Sequence, residues 1–342
     1  KTIACYGAGL HGSGLLDLDR ATQPVGAVGI PTSGRTSGGI SNIANLSGGA
    51  AGGNVNKQAF AALSNVMVLD DFERDYSINL DNTQAVDTRP GSFVEMMAFS
   101  GANADAGNYD AYANLAVGNQ NLDIPEIMGF TGSLKTNSDV SGDYLAKLGY
   151  AIHKDENTKV DFGLGFVKET GKFLNNVQEG YMGVGKNHTT SYASLSVKHN
   201  FSDKVFGFGN FQLGMTDVEA SKDFSLITGY DTLVSRSFAV GGGVKPAQGW
   251  LMGASYSQPL NIMSGNMHYK VPVGRTVDGQ VKFNEGSADA STKVIEHDLG
   301  LFVQYKVDEQ FSMAGYGEHR LNVAGTQGND QTSLGVKFNW KF

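Results

Sequence analysis

The C-terminal stretch Thr332 to Phe342 alternates without a break. Leu334, Val336, Phe338, Trp340 and Phe342 fall on one face, and Ser333, Gly335, Lys337, Asn339 and Lys341 on the other. Period-2 alternation is the mark of a β-strand with two unlike faces. The pattern recurs upstream. Val160, Phe162, Leu164 and Phe166 oppose Asp161, Gly163 and Gly165. Ala193, Leu195 and Val197 oppose Ser194, Ser196 and Lys198. Trp250, Met252, Ala254 and Tyr256 oppose Leu251, Gly253, Ser255 and Ser257. Twelve strands are predicted, at about 91–100, 127–135, 143–152, 158–168, 189–201, 204–215, 234–245, 248–258, 264–272, 293–307, 309–321 and 331–342.

These segments have the length of ~9–11 residues that a tilted strand needs to cross a bilayer. A soluble sandwich also alternates, but its polar face carries charge. Here that face is rich in Gly, Ser and Ala, as expected for the wall of a narrow, partly filled lumen. Short links at 153–157, 202–203, 246–247 and 308 alternate with long ones at about 101–126, 169–188, 216–233, 259–263 and 273–292. That asymmetry is typical of outer-membrane barrels. The expected fold is a 12-stranded antiparallel transmembrane β-barrel spanning 90–342. Its even strand number places both barrel ends on one side of the membrane. Closure pairs the last strand with the first, setting Phe93, Met97 and Phe99 beside Leu334, Val336 and Phe338.

Ahead of the strands, residues 56–76 have helical spacing. Asn56 can cap, and Phe60, Leu63, Val66 and Met67 form an apolar stripe. A pore or linker helix over 56–80, with Phe60, Leu63, Val66, Met67, Asp70 and Asp71 as its marked residues, would pass through or plug the barrel. Residues 31–55 are rich in Gly, Ser and Asn and read as a linker.

Composition modifies this picture at three points. Gly is 46 of 342 residues and Pro only 7, which suits tightly packed curved strands rather than a disordered chain. The net charge of −8 argues against a nucleic-acid partner. Mean hydropathy is −0.22, which an alternating barrel tolerates because polar and apolar residues average out. No apolar run reaches the length of a transmembrane helix. No export signal follows Lys1, so one would lie upstream. Cys5 is the one cysteine, so no internal disulfide is expected.

Gly7, Gly9 and Gly12 match the spacing of a dinucleotide loop, but no strand precedes them and Asp17 and Asp19 crowd the phosphate position, so they read as turns. Around them, Y-G-A-G-L-H-G-S-G-L-L-D-L-D-R-A-T-Q-P-V-G (6–26) resembles the last helix and exit of a subtilisin-like serine protease domain. The likeness is to subtilases fused to an autotransporter translocator. V-M-V-L-D-D-F-E-R-D-Y-S-I-N-L (66–80) resembles the segment ahead of the barrel in that family. The nucleophile motif G-T-S-x-(A/S)-x-P is absent, so no catalytic residue carries over, and residues 1–30 resemble the remnant of a passenger domain. The resemblance implies a type V secretion translocator in the bacterial outer membrane. It would export or anchor an N-terminal passenger at the cell surface, from a precursor with serine endopeptidase activity. It also implies outer-membrane lipid and lipopolysaccharide as surroundings. The barrel-assembly machinery would read Phe338, Trp340 and Phe342 as the insertion signal.

Other chemistry is sparse. The seven histidines form no H-x-x-x-H or H-E-x-x-H pair. Asp70, Asp71, Glu73 and Asp75 lack the spacing of a calcium loop. No metal, cofactor or catalytic set is expected. Lys147, Asp161, Lys198, Glu296, Asp298, Glu318, Arg320 and Lys337 read as lumen charges that pair with one another or with the helix. The competing reading is a free-standing outer-membrane porin whose N-terminal part is a plug.

Overall fold

The computed structural model describes residues 22–26, 28–31, 45–47, 61, 63–80, 85–87, 112, 120–127, 130–136 and 142–340, apart from 223, 224 and 309. The strands among them run in chain order. First come β1 (Asn45–Ser47), β2 (Val66–Leu69), β3 (Asp75–Ile78), β4 (Ala85–Asp87), β5 (Gln120–Ile127), β6 (Phe130–Thr136), β7 (Tyr144–Lys154), β8 (Thr158–Thr170), β9 (Lys172–Phe173) and β10 (Asn176–Gln178). Then follow β11 (Asn187–Ser202), β12 (Val205–Val218), β13 (Ile227–Tyr230), β14 (Leu233–Val244), β15 (Trp250–Ser264), β16 (Asn266–Arg275), β17 (Val281–Asp289), β18 (His297–Lys306), β19 (Phe311–Leu321) and β20 (Gln331–Trp340). Only Thr22 and Ala61 carry α-helical backbone among the described residues. The chain divides into two compact units.

The larger unit is Asn42–Ser64, Leu80–Val271 and Glu285–Phe342. Its frame is an 11-stranded sheet in the order β20-β19-β18-β15-β14-β12-β11-β8-β7-β6-β5, in which all neighbouring strands pair antiparallel. Connections of two to five residues (128–129, 155–157, 203–204, 245–249 and 307–310) alternate with longer ones (137–143, 171–186, 219–232, 265–296 and 322–330). Two short turns repeat one device. Asp155 Oδ1 accepts the Asn157 N–H at 2.8 Å, and Asp308 Oδ1 accepts the Gln310 N–H at 2.8 Å. Both are Asx-turns, in which the carboxylate stands in for a backbone acceptor.

The two faces of this sheet differ in an unusual sense. Large apolar side chains are exposed. Phe130, Tyr150, Phe162, Leu195, Phe211 and Phe238 form one directly opposed row across six strands. Leu301 is 66 % and Leu334 83 % exposed. The covered face is largely polar, with Thr190, Ser194, Asn210, Gln212, Thr216, Ser235 and Ser257 buried. Near the short turns it carries an aromatic layer, where Leu251, Phe302 and Tyr316 pack on Phe206 and Phe208.

Glycine makes that layer possible. Phe206 lies opposite Gly243, Phe208 opposite Gly241, Phe302 opposite Gly253, and Tyr316 opposite Gly335. A Cβ on Gly335 would stand 2.1 Å from the Tyr316 ring, and one on Gly241 2.4 Å from Phe208. Each ring therefore lies across a glycine on the neighbouring strand. Such cross-strand pairs fix register.

Several sequence expectations change here. Residues 120–127 form a strand where a long link was expected. Most of the 264–272 segment is not part of the main sheet. Ser264 ends β15, and 266–272 lie in β16, which joins β13 of the 219–232 connection and β17 in a separate three-stranded sheet. Residues 259–263 are not a link either. They continue β15 past a register shift between Arg236 and Phe238 of β14, and Pro259 sits at that irregularity, where a missing N–H is tolerated. The expected strand 91–100, and with it the seam of Phe93, Met97 and Phe99, lies outside the described residues. The described main sheet has eleven strands rather than twelve, and no ladder joins β5 to β20 among the described residues.

The smaller unit is Lys1–Ser41, Asn65–Asn79 and Pro272–Asn284. In it, residues 66–78 of the expected pore helix form a hairpin instead, with Val66 opposite Ile78 and Leu69 opposite Asp75. Val66, Met67, Val68 and Leu69 are all buried, a continuous run that a helix stripe does not produce. Asp70 decides the turn. Its carboxylate accepts the N–H groups of Phe72 (3.0 Å), Arg74 (3.0 Å) and Val25 (3.1 Å), and the Arg74 Nη2 (2.7 Å). An Asp that bonds its own following backbone competes with a helix. Glu73, in the left-handed region at φ 58, completes the reversal. Asp71 is exposed beside Gly26, where a Cβ would meet its carboxylate. Leu63, in the larger unit, is buried in a turn. Phe60 lies outside the described residues.

Two outcomes are expected. Gly335→Ala should lower the thermal midpoint through overpacking of about 1–3 kcal/mol, and adding Tyr316→Ala should make the two effects non-additive; circular dichroism melts of both single variants and the double variant measure the coupling. The second concerns Asp70. Burial by itself would raise its carboxyl, but the Arg74 side chain and the backbone N–H groups of Arg74, Val25 and Phe72 outweigh it and hold it well below the usual carboxylate range. A folded value below the unfolded one contributes stability that is fully present above about pH 4 and lost as pH falls through lower values. Protection factors of the Phe72 and Arg74 amides, compared at pH 5 and pH 2.5, should fall in the wild type and be nearly pH-independent in Asp70→Asn.

Candidate functional site

The polar, covered face of the main sheet gathers many of the buried polar side chains among the described residues. It is built by alternation: each strand turns its apolar residues to the exposed face and its Ser, Thr, Asn and Gln residues to the other. Across it, Thr190 and Thr216 share a hydroxyl hydrogen bond of 2.8 Å, and Asn210 Nδ2 donates to Ser196 Oγ at 2.6 Å.

All eight charged residues marked in the sequence fall on this face or at its end. Lys147 is opposite Gly165, Asp161 opposite Ser196, Lys198 opposite Phe208, and Lys337 opposite Ala314. Asp161 pairs with Lys159 at 2.9 Å. The structure brings the other four together. Asp298 is opposite Arg320, Glu318 lies two residues along β19, and Glu296 just precedes β18. All four are at least 95 % buried. Arg320 Nε donates to Glu296 Oε1 at 2.8 Å, Nη2 bonds the same oxygen, and Nε stands 3.6 Å from Asp298 Oδ1. One guanidinium thus serves several buried carboxyl groups, a set that is costly to break because removing the cation leaves charge uncompensated.

The residue that sequence reasoning missed is Tyr112. It precedes β5 and is fully buried against the covered face. Its ring stacks on Tyr192 with centroids 4.5 Å apart and 16° between planes. Its hydroxyl donates to Ser235 O at 3.0 Å and lies 2.9 Å from Ser235 Oγ. Gly214 makes the space, since a Cβ there would stand 2.5 Å from the Tyr112 hydroxyl. Leu145, Val167, Phe173, Leu233 and Ile262 belong to the same apolar cluster, at the end of the sheet that carries the long connections. The only signal in the sequence was an aromatic residue in a Gly-, Ala- and Asn-rich stretch, which has no periodicity to mark it.

The chain ahead of β5 is also paired to a long connection. The β9–β10 hairpin turns at Leu174 and Asn175, both left-handed, as a two-residue type I′ turn requires. Buried Glu169 accepts both of their N–H groups, at 2.7 and 2.9 Å. β1 adds to this hairpin antiparallel, with Leu46 opposite Gln178, and β4 adds parallel to β1. On the opposite face, Phe338 and Trp340 are exposed and lie against Phe311. Phe342 is outside the described residues.

No family model and no curated protein matches the sequence. Solved structures similar to it include OmpT (in-vitro folded), an outer membrane protein of Vibrio cholerae, at 12 % identity and a TM-score of 0.37, over 64 % of this chain. The chain spans 63 % of the length of that protein. A loop L8 deletion mutant of OmpT is 11 % identical with a TM-score of 0.43, over 80 % of this chain and 82 % of that one.

Tyr112→Ala should destabilise the larger unit by about 3–5 kcal/mol, as expected for truncating a buried aromatic side chain, and Tyr112→Phe by about 1 kcal/mol for the lost hydroxyl bonding. Arg320→Met should cost about 3–5 kcal/mol by stranding its carboxylates. Urea titrations followed by tryptophan fluorescence check all three.

Proposed function

We propose that this chain is a bacterial outer-membrane β-barrel that serves as the translocator and surface anchor of an N-terminal passenger. The observation that carries the membrane reading is the polarity of the main sheet, with its apolar face exposed and its polar face buried. In water the exposed rows would form a patch far beyond what soluble monomers leave uncovered. In a bilayer they are the lipid-facing band, and the short turns and long connections are its two sides. Trp250, Tyr305 and Trp340 then take the interfacial level next to the short turns. Phe338, Trp340 and Phe342 serve as the signal for the barrel-assembly machinery, and outer-membrane lipid and lipopolysaccharide surround the band.

The translocator role is supported by the placement of the chain ahead of β5. Tyr112 occupies the covered face, and β1 and β4 extend a hairpin that belongs to a long connection. β1, β4 and Tyr112 thus lie with the long connections, which on this reading face the cell exterior. The resemblance of residues 6–26 to the exit of a subtilisin-like protease is what supports a passenger of that class. On this reading the chain itself performs no catalytic step.

A free-standing channel is the second reading. It is favoured by the hairpin at Val66–Ile78, because those residues, expected within the helix that fills the pore, form strands instead. Planar-bilayer recordings separate the two. The translocator reading expects little conductance from the intact chain and a clear increase in Tyr112→Ala. Large, stable currents in the intact chain, unchanged in that variant, would sink it in favour of the channel.

A further inference from the structure

At the short-turn end of the larger unit, the start of β12, the β14–β15 turn and the end of β18 border an open cavity of about 550 Å³. Lys204, Lys245 and Lys306 line it, together with Gln248, Gln304 and Leu251. No acidic side chain lines it among the described residues. Backbone bonds hold the lysines close: Lys245 N donates to Lys204 O at 2.7 Å, and Lys306 N donates to Gly249 O at 2.8 Å. Gly249 permits this approach. It is left-handed at φ 81, and a Cβ there would stand 2.4 Å from Lys306 O.

Asp308, in the turn after β18, is engaged with the N–H groups of Gln310 and Phe311, and Asp203, which precedes Lys204, does not line the cavity. Three exposed lysines therefore border one open cavity in a chain whose net charge is −8. Like charges gathered at one cavity repel, and an anion bound among them offsets that repulsion. Lysine is suited to phosphate, which it meets as a mobile point charge with three donors. The neutral Gln248 and Gln304 amides add donors without adding charge.

We propose that this cavity binds a phosphate-bearing anion, held by Lys204, Lys245 and Lys306. The rim adds a clue to its source. Trp250 stacks on Tyr305 with centroids 4.6 Å apart, and both lie on the exposed face beside the cavity. If that face is lipid-facing, as under the function proposed above, this pair sits at the headgroup level. A phospholipid headgroup and a soluble phosphate ester then share the same recognition chemistry.

The test separates the sources. Purified protein in zwitterionic detergent is titrated calorimetrically with inorganic pyrophosphate. In parallel, native mass spectrometry measures retention of phosphatidylglycerol against phosphatidylcholine. The expected result is one saturable site for pyrophosphate, preferential retention of phosphatidylglycerol, or both. Affinity should fall at least tenfold in the triple variant Lys204→Gln, Lys245→Gln, Lys306→Gln. Pyrophosphate binding without lipid preference assigns the site to a soluble phosphate ester, and lipid preference alone assigns it to a headgroup. The corresponding triple Lys→Arg variant should bind like wild type, as should Lys186→Gln, Lys222→Gln, Lys282→Gln, which removes equal charge elsewhere. Should the triple Gln variant fail to fold, the three single variants carry the same comparison. Absence of saturable binding by both probes in wild type, or unchanged affinity in folded Gln variants, overturns the proposal. Extraction of the protein from vesicles by alkaline carbonate reports on the membrane reading separately, since pyrophosphate binding in detergent does not require it.

Discussion

The structure depends on one constraint: a long antiparallel sheet keeps its backbone paired while its apolar face is the exposed one. Backbone N–H and C=O groups must be satisfied wherever water is scarce. The ladders from β5 to β20 do this strand by strand, so side chains alone differ between the two sides. Once the apolar rows face outward, everything that stabilises a soluble core must be supplied differently on the covered face. That is why buried serines, threonines and amides there bond to one another, and why the buried carboxyl groups of Glu296 and Asp298 converge on Arg320.

Close approach on that face is set by glycine. Phe206, Phe208, Phe302 and Tyr316 each lie across a glycine of the next strand, and Tyr112 uses Gly214 in the same way. A side chain at those positions would push the rings off the sheet. At these positions glycine serves close packing rather than looseness: aromatic rings fill the space that a missing Cβ leaves, and each such pairing also resists a slip in register. With Tyr112 in place, a residue from ahead of the first described strand of the main sheet becomes part of its packing.

The smaller unit follows a different rule. Asp70 gathers three backbone N–H groups and Arg74 around one carboxylate, and the Val66–Ile78 hairpin forms about it. Within the same unit, Arg275 reaches this hairpin through Asp75 at 3.0 Å and the Glu73 carbonyl at 2.8 Å. A surface loop and an N-terminal segment about two hundred residues apart are thus joined by a single guanidinium.

Alternation alone located β7, β8, β11, β12, β14, β18, β19 and β20 and told which of their residues share a face, because a period of two is a local property of the strand. The short Asx-turns were equally local. What the sequence could not reveal was any feature defined by a partner. Residues 66–69 have a spacing compatible with helix and with strand, and only the bonds of Asp70 to its neighbours and to Val25 decide between them. Residues 266–272 were expected as part of a strand of the main sheet, yet they belong to β16, which pairs with β13 and β17. Tyr112 carries no periodic signal, and its place exists only because Gly214, Tyr192 and Ser235 are brought side by side by three different strands. Facing and turning are written in neighbouring residues; what fills the covered face is decided by residues distant in sequence, so it becomes legible only when the sheet has assembled.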